Sequence, residues 1–139
     1  MSPTFFTDRD LGKQFPAILK DAGLRVERHA DHFLPNATDE EWLTAVGGRG
    51  WLALTHDGRI RYKPNELAAV VRHRVALFVI VGEAPYPQLA RSFVRTAERV
   101  EAFAAGRKPP YIAKVYRPTP HEVLNDPDAP GSVSLWFPK

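Results

Sequence analysis

Acidic side chains occur at three points of the sequence where they could form a metal site. Asp8 directly follows one short apolar segment, and Asp57 follows a second. Asp39 and Glu40 stand together shortly before that second segment. Carboxylates that are brought together repel one another unless a cation lies between them, and hard ions such as Mg²⁺ and Mn²⁺ prefer oxygen ligands. A cation held in this way polarises phosphate groups and activates water, so the chemistry indicated is hydrolysis of phosphodiester bonds.

The elements that would position these residues follow from the spacing of the apolar residues, which indicates strands alternating with helices. The predicted strands are Thr4–Thr7, Leu24–Glu27, Trp51–Thr55, Val75–Val81 and Tyr111–Tyr116. The first predicted helix carries apolar residues from Leu11 to Ala22, and the second runs from Thr38 to Gly47–Gly48. A third predicted helix begins near Pro64, and a fourth runs from about Pro87 to Ala105. This order predicts an α/β fold of three layers, with helices on both faces of a mainly parallel sheet.

Ligands of parallel sheets bind at the carboxyl ends of the strands, near the point where the strand order reverses. If the first and third predicted strands are neighbours, Asp8 and Asp57 lie at one edge, and the second helix brings Asp39 or Glu40 there. Each residue also has an ordinary structural explanation. Asp8 would cap a helix, and Asp39 and Glu40 would interact favourably with the positive end of a helix dipole. Asp57 is followed by glycine, a common turn pair. Singly these explanations are favoured; together, at strand ends, the residues indicate a site.

Three segments resemble the acidic motifs of PIN-like domains, and most closely those of the compact subgroup that includes VapC-type toxins. They are Phe5–Gly12, Ala37–Leu43 and Trp51–Asp57, and the resemblance extends in order and spacing over about residues 4–116. It implies a Mg²⁺- or Mn²⁺-dependent endoribonuclease, often the toxin of a toxin–antitoxin pair, with RNA as substrate and a cognate antitoxin as partner. Carried over by position, Asp8, Asp39 and Asp57 would be the metal carboxylates. Glu40 is the alternative to Asp39 at the second position.

The sequence departs from the family pattern after Asp57, where many relatives carry a further acidic residue. The corresponding stretch is Gly58–Lys63, so a fourth carboxylate is either absent or supplied by Asp10 or Glu66. Its absence would favour a second hypothesis, a PIN-like module that binds RNA or a protein and cleaves weakly. A receiver-like α/β domain is a third hypothesis, since it would also use an aspartate after its third strand.

The stretch after Asp57 is basic. Arg59, Arg61 and Lys63 alternate there, and we expect them to hold the phosphates that flank the scissile bond. Tyr62 lies among them and is predicted to stack on an unpaired base. A solvated basic loop explains the same pattern equally well.

The bulk composition is that of a folded protein, with 44% hydrophobic and 25% charged residues among 139. A net charge of +3 is too small for binding nucleic acid by electrostatics alone. The absence of cysteine excludes disulfides and thiolate metal sites. No apolar run approaches the roughly 20 residues that span a bilayer, and the first residues lack the pattern of a secretory signal. We therefore expect a cytoplasmic protein that does not contact membranes.

The chain is expected to form one PIN-like domain over residues 1–117, followed by a Pro-rich tail over residues 118–139. The tail is predicted to have little regular structure because prolines recur along it. Its apolar segment Val133–Phe137 has another possible role, as an edge strand of the sheet or as a docking segment. The docking partner would be an antitoxin or a second copy of the chain in a homodimer.

Overall fold

Six strands form one sheet in the computed structural model, which describes residues 2–138. The strands are β1 (Thr4–Thr7), β2 (Arg25–Arg28), β3 (Leu52–Thr55), β4 (Ala76–Ile80), β5 (Tyr111–Tyr116) and β6 (Ser132–Phe137). Their spatial order is β2-β1-β3-β4-β5-β6. The first five are parallel, and β6 runs antiparallel to β5. The predicted α/β fold with a mainly parallel sheet is confirmed.

Five α-helices connect and flank these strands. They are α1 (Gln14–Asp21), α2 (Asp39–Arg49), α3 (Pro64–Arg72), α4 (Tyr86–Ala105) and α5 (Pro120–Asn125), and 3-10 helices cover Arg9–Leu11, His29–Asp31 and Gly58–Tyr62. The prediction that α2 stops at Gly47–Gly48 was wrong, because the helix continues to Arg49 and ends at Gly50 in a left-handed conformation. Within the described residues, none of these helices combines the length and the apolar character needed to cross a lipid bilayer.

The sheet is apolar on both faces because each face is covered by helices, as is usual for parallel sheets. Successive residues of β1 serve the two sides: Phe5 belongs to the core that includes residues of α1 and α4, and Phe6 to the core that includes residues of α2 and α3. The short strands β3 and β4 are buried along their whole length. This burial holds the carboxyl ends of the central strands in fixed positions, where the predicted site lies.

The C-terminal segment is more regular than the sequence indicated. The expectation of little regular structure after residue 117 was wrong for α5 and β6, and the edge-strand alternative is what the structure contains. Gly131, just before β6, donates its N–H to the Thr96 hydroxyl at 2.9 Å and accepts from Arg99 Nη1 at 2.8 Å. A Cβ at Gly131 would overlap the Tyr116 carbonyl oxygen. Glycine therefore permits the close approach that docks this segment on the domain.

Gly47 and Gly48 are neighbouring glycines of α2, and substituting each of them tests the packing that positions this helix. A Cβ at Gly47 would overlap the backbone carbonyl oxygen of His73, whereas a Cβ at Gly48 meets nothing within 4 Å. We expect Gly47→Ala to lower the free energy of unfolding by about 2 kcal/mol through overpacking. Gly48→Ala should instead raise it by about 0.5–1 kcal/mol, because alanine loses less conformational entropy in a helix. Urea denaturation of both variants measures this, and equal effects would contradict the packing.

Candidate active site

The sheet places the ends of β1 and β3 side by side at the point where the strand order reverses. β2 lies on one side of β1 and β3 on the other. The backbone N–H of Asp8, just beyond β1, donates to the Leu54 carbonyl oxygen in β3 at 2.9 Å. The first and third strands are therefore neighbours, which is the condition for Asp8 and Asp57 to lie at one edge. The ends of these strands form the crevice where parallel sheets bind ligands.

Asp8 is the innermost carboxylate of this crevice, with only 9% of its surface exposed. Its Oδ1 accepts from the Arg9 backbone N–H at 2.7 Å, which caps the 3-10 helix Arg9–Leu11. Its Oδ2 accepts from the Thr55 hydroxyl, at the end of β3, at 2.9 Å. Asp8 therefore caps the 3-10 helix with one oxygen and contacts the end of β3 with the other.

Asp10 enters the same crevice from the 3-10 helix. Its Oδ2 is 3.2 Å from the Thr55 hydroxyl and accepts from the His56 backbone N–H at 3.1 Å. The same hydroxyl accepts from the Asp57 backbone N–H at 3.1 Å. A threonine hydroxyl carries one hydrogen, so it donates to only one of the two carboxylates at a time. The other oxygen, Asp10 Oδ1, is buried and has no hydrogen-bond partner among the described residues.

The electrostatics of the pair reflect this crowding. Burial, followed by repulsion from Asp10, raises the pKa of Asp8 to about 7, although the hydrogen bond from Thr55 opposes the shift. Burial also raises the pKa of Asp10 against hydrogen bonds from His56 and Thr55. The charge of Asp39 contributes to the raised pKa of Asp8, and that of Asp57 to the raised pKa of Asp10. Four carboxylates are therefore close enough to influence one another.

Asp39 and Glu40, at the start of α2, differ in orientation. Asp39 Oδ1 accepts from Trp42 Nε1 at 3.0 Å, and its Oδ2 lies 3.9 Å from Lys63 Nζ. Glu40 is exposed, and its backbone carbonyl accepts from the Thr44 hydroxyl. Of the two alternatives for the second acidic position, Asp39 is the one that faces the crevice.

Asp57 caps the 3-10 helix Gly58–Tyr62 and is held by cations. Its Oδ1 accepts from the backbone N–H of Arg59 at 3.0 Å and from Arg59 Nε at 2.9 Å. Lys63 Nζ is 3.6 Å from Asp57 Oδ2, so this ammonium lies near both Asp57 and Asp39. Burial alone would raise the pKa of Asp57, but the hydrogen bonds from Arg59 outweigh it and the pKa is lowered.

The predicted RNA-binding residues do not form one row, because the stretch after Asp57 is helical and not extended. Arg59 and Lys63 contact the carboxylates. Arg61 instead lies over the ring of Phe137, its Cζ 4.8 Å from the ring centroid. Tyr62 projects into solvent with 72% of its surface exposed. The stretch therefore divides into a part that neutralises the carboxylates and a part that faces β6.

The donor set fits a hard divalent cation, although no finished cluster is present. Among residues 2–138, no three His, Asp or Glu side chains lie in an arrangement ready to hold a metal ion. The buried, unpartnered Asp10 Oδ1 and the crowded Asp8 carboxylate are nevertheless oxygen donors of the kind that Mg²⁺ and Mn²⁺ prefer. The predicted ligand set of Asp8, Asp39 and Asp57 remains a prediction.

A cavity of about 230 Å³ adjoins this crevice on the side of β2. Asp8 forms part of its wall, together with Thr7, Arg9, Gly12, Lys13, Arg28, His29 and Ala30. Burial, followed by the charge of Arg9, lowers the pKa of His29, which favours its neutral form. The basic side chains in the wall of this cavity would suit an anionic group placed next to Asp8.

Sequence reasoning underestimated two residues of the crevice. Asp10 was considered only as a possible substitute for a missing carboxylate, yet it shares a hydroxyl with Asp8. Thr55 belongs to the segment that ends at Asp57, but the sequence alone predicts no role for it. The signal available for both was spacing: Asp10 follows Asp8 by two positions, and Thr55 precedes Asp57 by two.

Comparison with known proteins agrees with this fold. A family model described as a PIN like domain matches residues 3–82, a stretch that includes all four carboxylates. Because the match covers more than half of the chain, the chain belongs to the PIN-like domain family. The family assignment also sets aside the receiver-like hypothesis.

A curated relative comes from Mycobacterium tuberculosis (strain ATCC 25618 / H37Rv) and bears the name "Putative ribonuclease VapC45". The two proteins are 30% identical over 80 residues, which covers 54% of this chain and 58% of the relative. The chain thus spans somewhat more than half the length of the curated relative it matches. No solved structure matches the chain.

Proposed function

We propose that this chain is a metal-dependent endoribonuclease. The observation that carries the proposal is the pair of carboxylates, buried Asp8 and partly buried Asp10, that share the Thr55 hydroxyl at the carboxyl edge of the sheet. Asp39 and Asp57 lie close enough to affect their pKa values. The name of the Mycobacterium tuberculosis relative supports RNA as the substrate. The resemblance to VapC-type toxins supports a role as the toxin of a type II pair, acting in the cytoplasm with a cognate antitoxin.

The residues of the crevice divide the work of such a reaction. We propose Asp8, Asp39 and Asp57 as the oxygen donors for Mg²⁺ or Mn²⁺, with Asp39 in preference to Glu40 and with Asp10 as the fourth carboxylate. When bound, the cation supplies Lewis-acid polarisation of the scissile phosphate and offsets the charge that develops on it. Thr55 positions Asp8 and Asp10, since its hydroxyl contacts both. Lys63 and Arg59 would exchange their carboxylate contacts for contacts with RNA phosphates.

One observation favours a second candidate, a binding module that cleaves weakly. Lys63 Nζ lies 3.6 Å from Asp57 and 3.9 Å from Asp39, and Arg59 holds Asp57 from the other side. These cations already neutralise part of the acidic cluster, which lowers its demand for a metal. Such a module would bind RNA or a partner protein with little dependence on Mg²⁺.

The test is cleavage of a mixed RNA pool by the wild type and by Asp57→Asn, in Mn²⁺, in Mg²⁺ and in EDTA. We expect cleavage by the wild type only with metal, and a loss of about 100-fold in the variant, the scale of losing one charge-stabilising group in an active site. Glu40→Gln serves as a control, because Glu40 is exposed. RNA binding without cleavage under any condition would favour the binding module.

A further inference from the structure

An aromatic surface lies beside the acidic crevice, where β6 meets the 3-10 helix Gly58–Tyr62. Tyr62 is 72% exposed, and its ring packs edge-to-face with that of Trp136 at a centroid distance of 5.8 Å. Trp136 is itself only partly buried. An exposed tyrosine in contact with a partly buried tryptophan at the surface of a small domain indicates a binding surface. Tyr62 and Trp136 are called the aromatic platform below.

Two cations border the aromatic platform. Lys114 Nζ lies 4.0 Å from the Trp136 ring centroid, and Arg61 Cζ lies 5.5 Å from that of Tyr62. Within residues 2–138, neither cation forms an ion pair with a carboxylate, in contrast to Arg59 and Lys63. Their charge is therefore available to an anionic partner. Aromatic rings at the surface with unneutralised cations beside them suit single-stranded nucleic acid, because bases stack on the rings and phosphates meet the cations.

The aromatic platform is continuous with the acidic crevice. An ideal Cβ on Gly58, the residue after Asp57, would lie 3.8 Å from Trp136 Cη2. At the other end of the 3-10 helix, Tyr62 directly precedes Lys63, whose Nζ is 3.6 Å from Asp57. One short helix thus links the carboxylate to the platform. If an RNA strand had one phosphate at Asp57, its next bases would lie near Tyr62 and Trp136.

We propose that Tyr62 and Trp136, flanked by Lys114 and Arg61, form a subsite that stacks an unpaired base of the RNA next to the scissile phosphate. The inference rests on the proposed ribonuclease function and adds a preference for single-stranded substrate. Tyr62 was a candidate from sequence alone. Trp136 and Lys114 join it only because β6 pairs with β5 beside the 3-10 helix.

The test measures binding apart from cleavage. Fluorescence anisotropy in EDTA gives the Kd of the wild type, Tyr62→Leu and Trp136→Leu for a labelled single-stranded RNA octamer and for the same sequence as a duplex. We expect each variant to bind the single strand about 10-fold more weakly, since each loses a stacking partner. Duplex binding should change little. Trp51→Leu is the matched control, because Trp51 is also a partly buried tryptophan beside a cation but precedes β3, at the opposite edge of the sheet, and circular dichroism checks the fold of both tryptophan variants.

The outcomes separate the two proposals. If the wild type cleaves and binds RNA but Tyr62→Leu and Trp136→Leu keep the wild-type Kd, the aromatic platform is not an RNA subsite and the nuclease function stands. Loss of binding to a protein partner in those variants, with unchanged RNA affinity, would assign the surface to protein docking and overturn the inference. A wild type that neither cleaves nor binds RNA would overturn the proposed function and the subsite with it.

Discussion

Asp10→Asn is expected to lower the rate of RNA cleavage about 100-fold or more without unfolding the protein. The substitution preserves the shape of the side chain, so one oxygen can still accept from Thr55 and His56. It removes the negative charge and replaces the buried, unpartnered Oδ1 with an amide NH₂ group, which cannot bind a cation. Losing one charge-stabilising group in an active site has effects of this order. Initial rates in saturating Mn²⁺ measure the change.

The controls for Asp10 use the same chemical change elsewhere. Asp21→Asn alters an exposed aspartate at the end of α1 and should leave the rate unchanged. Glu66→Gln tests the other candidate that the sequence offered for a fourth carboxylate. If Glu66→Gln abolished cleavage and Asp10→Asn did not, the reaction would be centred on α3 and the assignment of Asp10 would be wrong.

The sequence predicted the strands that carry the site because their apolar runs are unambiguous. Asp8 directly follows β1 and Asp57 lies two residues beyond the end of β3, so the rule that ligands bind at strand ends selects both as candidates. The sequence pattern does not decide between Asp39 and Glu40, because two neighbouring positions at the start of a helix differ only in the direction in which their side chains point. The Trp42 side chain decides it by donating to Asp39.

The importance of Asp10 and of β6 depends on contacts distant in sequence. Asp10 reaches the crevice through Thr55, the last residue of β3, and His56, the residue after it, and both are distant from Asp10 in sequence. β6 was obscured because the prolines around it predict irregular structure. Its place in the sheet depends on Gly131, which contacts residues of α4 and β5. Such long-range packing is not encoded in hydrophobic periodicity.

Asp8→Asn should make the metal-free protein more stable at pH 8, by up to about 4 kcal/mol, while it impairs cleavage. The folded-state pKa of Asp8 is about 7, compared with a reference value of 3.8. Between these values the folded protein holds a proton that the unfolded chain has released, so stability falls as the pH rises through this window and stays low above it. At about 1.4 kcal/mol per unit, the full cost approaches about 4 kcal/mol. Asparagine is neutral at every pH and avoids this cost.

Urea denaturation in EDTA at pH 4, 6 and 8 measures the effect. The advantage of Asp8→Asn should grow from near zero at pH 4 to its full value at pH 8. Asp57→Asn is the contrasting control, because the pKa of Asp57 is lowered in the folded protein. At a pH above the pKa of the unfolded chain, the ionised carboxylate therefore stabilises the folded state. We expect this substitution to destabilise the protein at pH 8. Adding Mn²⁺ should stabilise the wild type more than Asp8→Asn, since a ligand that binds only the folded state shifts the equilibrium toward it. A wild type more stable than Asp8→Asn in EDTA at pH 8 would mean that the protein already compensates the charge of Asp8 without a metal.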